Sequence, residues 1–524
     1  MKPECGGTRA RPLLHPFLWA AQPILFLYAR AVHEFPLSRI LAPLAAVVAG
    51  TAVVWAIAHA ILRRDLPKSA CFTSVLLILF FSFGRAVDLA DRFFEATGVW
   101  TYLDRLMLAT RIAVLQAAAL AVFAAVLLAA LRRLLMKKPL ASWVTPLLAS
   151  TATILLMFSL GQIILGLVSV PRRGLPLPRT AGDVRPPRDD SPDVYIIAVD
   201  GYAREDVLRQ FYGFDNSAFV SALDGLGFSV AAKSSANYAW TFLSLASALN
   251  MTHLQDLAEK AGPRSRDQKR AQEMIRDNAA LAFLRSRGYR TIHIASPWEG
   301  TRSNPKADEI RGGQGQVPGD DFSRALADSS LLALFNSRLT KRMAEFYLEQ
   351  FDELESASAE PGPKMVFVQF LLPHHPFIFD RNGQVLGSGS FLGQLFSRKT
   401  QWREPEAYIE QLVFLNDKLL SVVRSLLRSP GVPPVIILFS DHGPLVASPE
   451  PEVERSARLA NLTAVHLPGA PPGLLPEDVS LVNLLPLVLN HSFGAGFELH
   501  PPTRYYSTYA RPYSFIELRP GTKF

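Results

Sequence analysis

Cysteine is nearly absent from these 524 residues: the chain has two, Cys5 and Cys71, and both precede residue 171. From there onward no disulfide, thiolate zinc site or cysteine nucleophile is available. Export is compatible with that absence, because a large core does without disulfides. Charge of one sign is also scarce outside the first third. The formal charge is +8, yet residues 1–170 hold 16 Lys and Arg against 7 Asp and Glu, while residues 171–524 hold 38 against 39. The basic excess belongs to the hydrophobic third and reads as membrane topology. A nucleic-acid surface needs that excess on the globular part, so no nucleic-acid partner is expected. Internal repeats are missing too.

What the chain does have is five apolar stretches, at roughly 15–32, 40–62, 69–87, 107–131 and 140–170. A bilayer span needs about 20 such residues. The first stretch is broken by Pro23 and edged by Arg30, and the third, through Val75–Phe83, has the shortest apolar run, so these two are the candidates for re-entrant or interfacial segments. Ten cations lie in alternate loops: Lys2, Arg9 and Arg11; Arg63, Arg64 and Lys68; Arg132, Arg133, Lys137 and Lys138. The intervening loops mix signs. Positive residues stay cytoplasmic, which predicts a cytoplasmic N-terminus and an extracytoplasmic C-terminal part. Arg111 and Gln162 fall inside spans, as expected of snorkelling and of a helix–helix contact.

Residues 171–193 carry six prolines and alternating charge, a semi-extended spacer. The predicted organisation is therefore a transmembrane domain (1–170), a Pro-rich linker (171–193) and a catalytic domain (194–524). In the last, short apolar runs recur at Val194–Val199, Phe228–Ala231, Tyr289–Ile294, Met365–Leu371, Val435–Phe439 and Leu462–Leu467. Helical patterns lie between them at Ser217–Leu226, Thr241–Asn250, Ala279–Arg287 and Tyr408–Leu427. Buried strands alternating with helices predict an α/β domain with a doubly wound, mostly parallel sheet. The site of such a sheet lies at the carboxyl ends of its strands.

Two of those ends are acidic. VYIIAVDGYAR places Asp200 after one strand, and VIILFSDHGP places Asp441 and His442 after another. A lone Asp there is often only a loop cap. Two of them, one followed by His and both pairs leading into glycine, suit a divalent cation held by oxygen and imidazole. In SANYAWTFLSLASALN, Thr241 precedes or opens an apolar helix. It is either a helix cap or a nucleophile beside a helix terminus that favours anions. Asn237 and Ser244 are better read as structural. In PHHPF, after the Met365–Leu371 strand, His374 or His375 faces the site as substrate ligand or leaving-group acid. His253, His293, His466, His491 and His500 have no partner motif and default to structural roles.

The order Asp200, Thr241, His374 with Pro376-Phe377, then Asp441-His442-Gly443 resembles the alkaline phosphatase/sulfatase superfamily. The subgroup it is most similar to is the membrane-anchored one that includes the lipoteichoic acid synthases. The resemblance implies Asp200, Asp441 and His442 as metal ligands, Thr241 as metal-bound nucleophile and His374 as a substrate-binding histidine. It also implies departures. Asp200 stands where those synthases usually carry Glu. No formylglycine-type C/S-x-P-x-R motif surrounds Thr241, which argues against sulfate ester hydrolysis. The stretch Gln369–Pro373 contains no acid, so the D-x-x-x-H pair of two-metal relatives is missing. One principal divalent ion is expected, of zinc, manganese, magnesium or calcium.

These readings converge on a phosphotransferase. It moves a phospholipid head group, phosphoglycerol or phosphoethanolamine, through a threonine intermediate to an envelope glycan or lipid acceptor. The alternatives are a sulfatase-like hydrolase of phosphate or sulfate esters and a non-catalytic sulfatase-like membrane protein.

Overall fold

The computed structural model describes residues 14–97, 108–136, 143–168, 191–313, 321–386, 405–429 and 431–518. Outside them fall Lys2, Arg9, Arg11, Lys137 and Lys138, the Arg111 side chain, and the expected linker up to residue 190. The chain divides into two compact units. One is helical and runs to Ser169, with the insert Phe322–Asn336 and a second insert outside the described residues. The other holds the rest.

All five apolar stretches of the helical unit are helices: α1 (His15–Ala31), α2 (Leu41–Ile61), α3 (Leu66–Ala96), α4 (Leu108–Leu135) and α5 (Val144–Val168). Four are long and apolar enough to cross a bilayer, within Leu37–Ile61, Leu66–Phe94, Val114–Leu135 and Val144–Val168. The exception is α1, with 17 residues and Pro23 inside it. At 1.5 Å per residue it reaches only about 26 Å, just short of a ~30 Å hydrocarbon core. The stretch expected to be shortest forms the longest helix, α3 with 31 residues. Its charged continuation from Arg85 to Glu95 consists largely of residues that helices tolerate well, so the helix outruns the apolar segment. The insert contributes Phe322 and Leu326, which pack with Tyr28, Phe35, Leu77 and Phe81, and Ala333, which packs with Phe83, Val87 and Leu115.

The α/β unit is built on a seven-stranded sheet ordered β2-β7-β6-β1-β5-β3-β4. Its strands are β1 (Val194–Asp200), β2 (Phe228–Val230), β3 (Arg290–Ile294), β4 (Glu309–Arg311), β5 (Lys364–Pro373), β6 (Val435–Ser440) and β7 (Thr463–His466). Neighbouring strands from β6 through β1, β5 and β3 to β4 pair in parallel, and β7 runs against β6 and β2. Every residue of β1 is buried. Tyr195, Ile197 and Val199 enter the core on one face, and Val194, Ile196 and Ala198 enter the core on the other. Helices cover both faces, which explains why β1 reads as a continuous apolar run without alternation. A separate hairpin, β8 (Arg504–Thr508) and β9 (Arg511–Leu518), completes the unit. The six expected strands are all present; β4 and the hairpin come in addition.

Candidate metal centre

The parallel strands β1, β5 and β6 end on one edge of the sheet, and the backbone laces those ends together. The Asp441 amide donates to Val199 O (3.2 Å) and the His374 amide to Asp200 O (3.1 Å). Ser440 Oγ accepts from the Tyr202 amide at 2.8 Å and donates to His442 O at 2.7 Å. Two glycines make this possible. Gly201 has φ +71°, a left-handed turn that re-aims the chain directly after Asp200. A Cβ on Gly443 would lie 2.4 Å from Ala457 O and 2.5 Å from Ala460 O. The Gly201 turn is further held by Tyr408, whose hydroxyl donates to Gly201 O (3.0 Å) and accepts from the Ala203 amide (3.1 Å).

These constraints gather Asp200, Asp441 and His442, all buried, with one ligand atom from each within 4.8 Å of the others. Asp441 Oδ1 accepts from the amides of Gly201 (3.1 Å) and His442 (2.9 Å). Its Oδ2 has no hydrogen-bond partner among the described residues. His442 Nδ1 donates to Gly443 O at 3.0 Å, which leaves the Nε2 lone pair turned toward the cluster. That nitrogen is 3.2 Å from Thr241 Oγ1, 3.4 Å from Asp441 Oδ2 and 3.9 Å from Asp200 Oδ1. A cation bound tetrahedrally at about 2.1 Å holds its donors about 3.4 Å apart. The donor set and its spacing fit one divalent ion.

The electrostatics point the same way. Burial, with the neighbouring charge of Asp200, pushes the Asp441 carboxyl up to about 8. Burial, with the charges of Arg458 and His374, holds His442 well below its ordinary value, so the imidazole is neutral and ready to ligate. Two buried carboxylates side by side are costly without a cation.

Thr241 is the first residue of the helix Thr241–Asn250. The cap position belongs to Trp240, and no side chain caps this end. The hydroxyl therefore turns to the metal-ligand cluster and not to the helix backbone. Ser244 ties the helix to the ligand loop through Asp441 O at 2.6 Å. Asn237 accepts from the Val482 amide and donates to Thr503 O, both at 2.8 Å, which makes it a clamp between segments. His374 sits beside His375, with ring centres 4.0 Å apart, and its Nδ1 contacts His375 O at 2.6 Å. Of the remaining histidines, His293 is buried against Thr301 O (2.7 Å), His466 bonds Pro434 O (2.8 Å) and His253 bonds Pro501 O (2.8 Å).

Sequence reasoning missed Arg458. It is buried at 3% exposure, in the helix Pro451–Leu459. Its Nε donates to Ala239 O (2.8 Å), its Nη1 to Gly443 O (2.8 Å) and its Nη2 to His442 Nε2 (2.9 Å). Burial lowers it to about 10, opposed by Asp441 and Asp200, so it remains a cation at neutral pH. The guanidinium lies 5.1 Å from the Trp240 ring centre. Trp240 is braced in turn by the hairpin, through Nε1 to Ser507 O (2.8 Å) and an edge contact with Tyr509.

No family model and no curated protein matches the chain. Solved structures of similar fold do exist. The C-terminal periplasmic domain of EcEptC from Escherichia coli aligns with a TM-score of 0.41 at 12% identity, over 63% of this chain and 92% of its own. The soluble domain of lipooligosaccharide phosphoethanolamine transferase A from Neisseria meningitidis gives 0.34 at 13%, over 55% and 78%. A putative sulfatase from Bacteroides thetaiotaomicron gives 0.37 at 13%, over 62% and 75%. At these identities the likeness concerns the fold.

Proposed function

We propose that the chain is a membrane-anchored, metal-dependent phosphotransferase. It takes the head group of a phospholipid, phosphoglycerol or phosphoethanolamine, onto Thr241 and passes it to a glycan or lipid acceptor outside the cytoplasm. One observation carries the reading: the Thr241 hydroxyl, free of any capping duty, lies 3.2 Å from His442 Nε2 in a buried Asp-Asp-His cluster.

Asp200, Asp441 and His442 would hold a divalent ion, which when bound supplies Lewis-acid stabilisation of the Thr241 oxygen and of the phosphoryl group. Thr241 Oγ1 bonds to phosphorus as the bond from phosphorus to the diacylglycerol oxygen breaks. The hydroxyl proton leaves Thr241 and a proton reaches the departing oxygen, with His374 the candidate donor. In the second half an acceptor hydroxyl attacks the phosphothreonine diester, loses its proton, and Thr241 recovers one. The helix terminus beneath Thr241 adds partial positive charge where the phosphoryl oxygens sit.

Thr241→Ala in the full-length protein is expected to abolish turnover while leaving the melting temperature and the metal content unchanged. Thr241→Ser is expected to keep partial activity. Incubation with phosphatidylglycerol or phosphatidylethanolamine should add phosphoglycerol or phosphoethanolamine to the peptide containing Thr241, and its mass names the head group. Normal turnover by Thr241→Ala sinks the proposal, and head-group release to water alone identifies a hydrolase.

A further inference from the structure

We propose that Gln411 is the positioning residue for His374: its buried amide holds the PHHPF bend so that the imidazole meets the oxygen leaving phosphorus. The inference rests on the phosphotransfer reading above and deepens it by naming what sets the geometry of leaving-group protonation.

The bend is poorly equipped to hold itself. In Pro373-His374-His375-Pro376-Phe377 two of the five residues have no backbone N–H to donate. Gln411 supplies the missing bonds. It lies in the helix Pro405–Leu427 and is fully buried. Its Nε2 donates to His374 O (3.0 Å) and Pro373 O (3.2 Å), with Pro376 O further off at 3.5 Å. Its Oε1 accepts from the amides of Ile378 (2.6 Å) and Phe379 (3.2 Å). A primary amide has two N–H donors and two acceptor lone pairs, and here all of them engage residues 373–379. An apolar side chain would fill the same core space with no polar atoms to satisfy.

His374 is thereby held through both of its backbone polar groups. Its amide donates to Asp200 O, the main chain of a metal ligand, at 3.1 Å. Its carbonyl takes the Gln411 bond. Its Nδ1 is turned to His375 O at 2.6 Å, so Nε2 is the nitrogen that serves the reaction. The charge of His374 bears on His442, which sets the ring near the ligand cluster. One helical turn before Gln411, the Tyr408 hydroxyl braces Gly201 O and the Ala203 amide, directly after Asp200. One helix thus fixes the loop of a metal ligand and the loop of the proton donor, and with them the spacing between the two.

The chemistry depends on that spacing. As Thr241 Oγ1 bonds to phosphorus, the bond from phosphorus to the diacylglycerol oxygen breaks, and its electron pair stays on that oxygen. The proton on His374 Nε2 passes to it and leaves a neutral imidazole. In the second half the acceptor hydroxyl gives its proton to the same nitrogen as its oxygen bonds to phosphorus. A displacement of about 1 Å weakens such a transfer by about a hundredfold.

The test uses the full-length, zinc-loaded protein in detergent and compares wild type with Gln411→Met and His374→Ala. Zinc per chain is read, with kcat for two diesters that differ in what leaves: bis(p-nitrophenyl) phosphate and diphenyl phosphate. p-Nitrophenolate departs without a proton, whereas phenolate leaves far faster with one, so only the second ester reports the acid. Gln411→Met is expected to keep one zinc and to stay within about threefold of wild type on the nitrophenyl ester. On the phenyl ester it should lose about a hundredfold, the pattern also expected of His374→Ala. An equal loss on both esters overturns the assignment, because a general loosening of the fold does not distinguish leaving groups. Loss of zinc overturns it too, since Gln411 is then a support of the metal site. If Gln411→Met does not fold, Gln411→Asn decides, because it keeps the amide and withdraws it by one methylene. A loss of about tenfold or more confined to the phenyl ester supports the assignment, and no such loss overturns it. An ester-selective loss in His374→Ala without one in Gln411→Met removes the inference and leaves the phosphotransfer reading standing. A wild type that processes neither ester and never labels Thr241 overturns that reading itself.

Discussion

At the scale of single residues, Asp441 carries the clearest consequence for solution behaviour. Without a cation its carboxyl sits near 8 in the fold against an ordinary 3.8, because it is buried beside Asp200. Between those values the folded chain keeps a proton that the unfolded chain has released. The stability this group contributes is full below about pH 4 and is lost as pH rises toward 8. Chelator-treated protein is therefore expected to melt lower at pH 8 than at pH 5, and added zinc to remove most of the difference. Asp441→Asn, which does not titrate, should flatten the same profile; a slope equal to that of wild type defeats the argument. Asp200, Asp441 and His442 were legible in the sequence because Asp200 directly follows an apolar strand run and the Asp441-His442 pair follows another with only Ser440 between. Arg458 was not, since it ends the polar helix PEVERSARL, where a cation in the last turn reads as a partner for the helix dipole. The one hint was its setting among Ala457, Leu459 and Ala460, small apolar neighbours that argue for a buried face.

At the scale of elements, the central strands and the helix that opens with Thr241 followed directly from the pattern, because burial on both faces leaves continuous apolar runs. The hairpin β8–β9 escaped although RYYST and RPYSFIEL are rich in strand-forming aromatics. Its contribution is to pack against a neighbouring segment, and no periodicity reports that. Asn237 makes the contact explicit. It bonds Val482 N and Thr503 O through its side chain, and its carbonyl accepts from the Tyr505 amide at 2.8 Å. Asn237→Ala leaves a buried donor and a half-buried acceptor unmatched, so a loss of about 2 kcal/mol is expected. The protein that remains folded should keep its metal and its turnover per metal-loaded chain. A selective loss of phosphate binding with stability intact would instead assign Asn237 to the anion site.

At the scale of the whole molecule, two features of the helical unit bear on how the protein is built and tested. The outward placement of the α/β unit, which the proposal requires, does not depend on whether the 17-residue α1 crosses the bilayer. On the expectation that the cations at 63–68 and 132–138 keep both of those loops inside, α5 exits to the other side in either case. The second feature is the insert Phe322–Asn336, which groups with the membrane helices although strands of the sheet flank it in the chain. Phe322 makes edge contacts with Tyr28 and Phe35, and Leu326 and Ala333 are buried among helical-unit residues. A fragment beginning at Ser191 contains the full strand and helix series but uncovers these apolar side chains. Such a fragment is expected to self-associate in detergent-free buffer and to float with phosphatidylglycerol vesicles. Phe322→Ser with Leu326→Lys should yield a monomer that stays in solution and still binds one zinc through Asp200, Asp441 and His442. A wild-type fragment that runs as a monomer and ignores vesicles would show that the insert does not need the membrane helices. The metal content of both fragments separates that outcome from misfolding, because the ligand cluster draws only on the α/β unit.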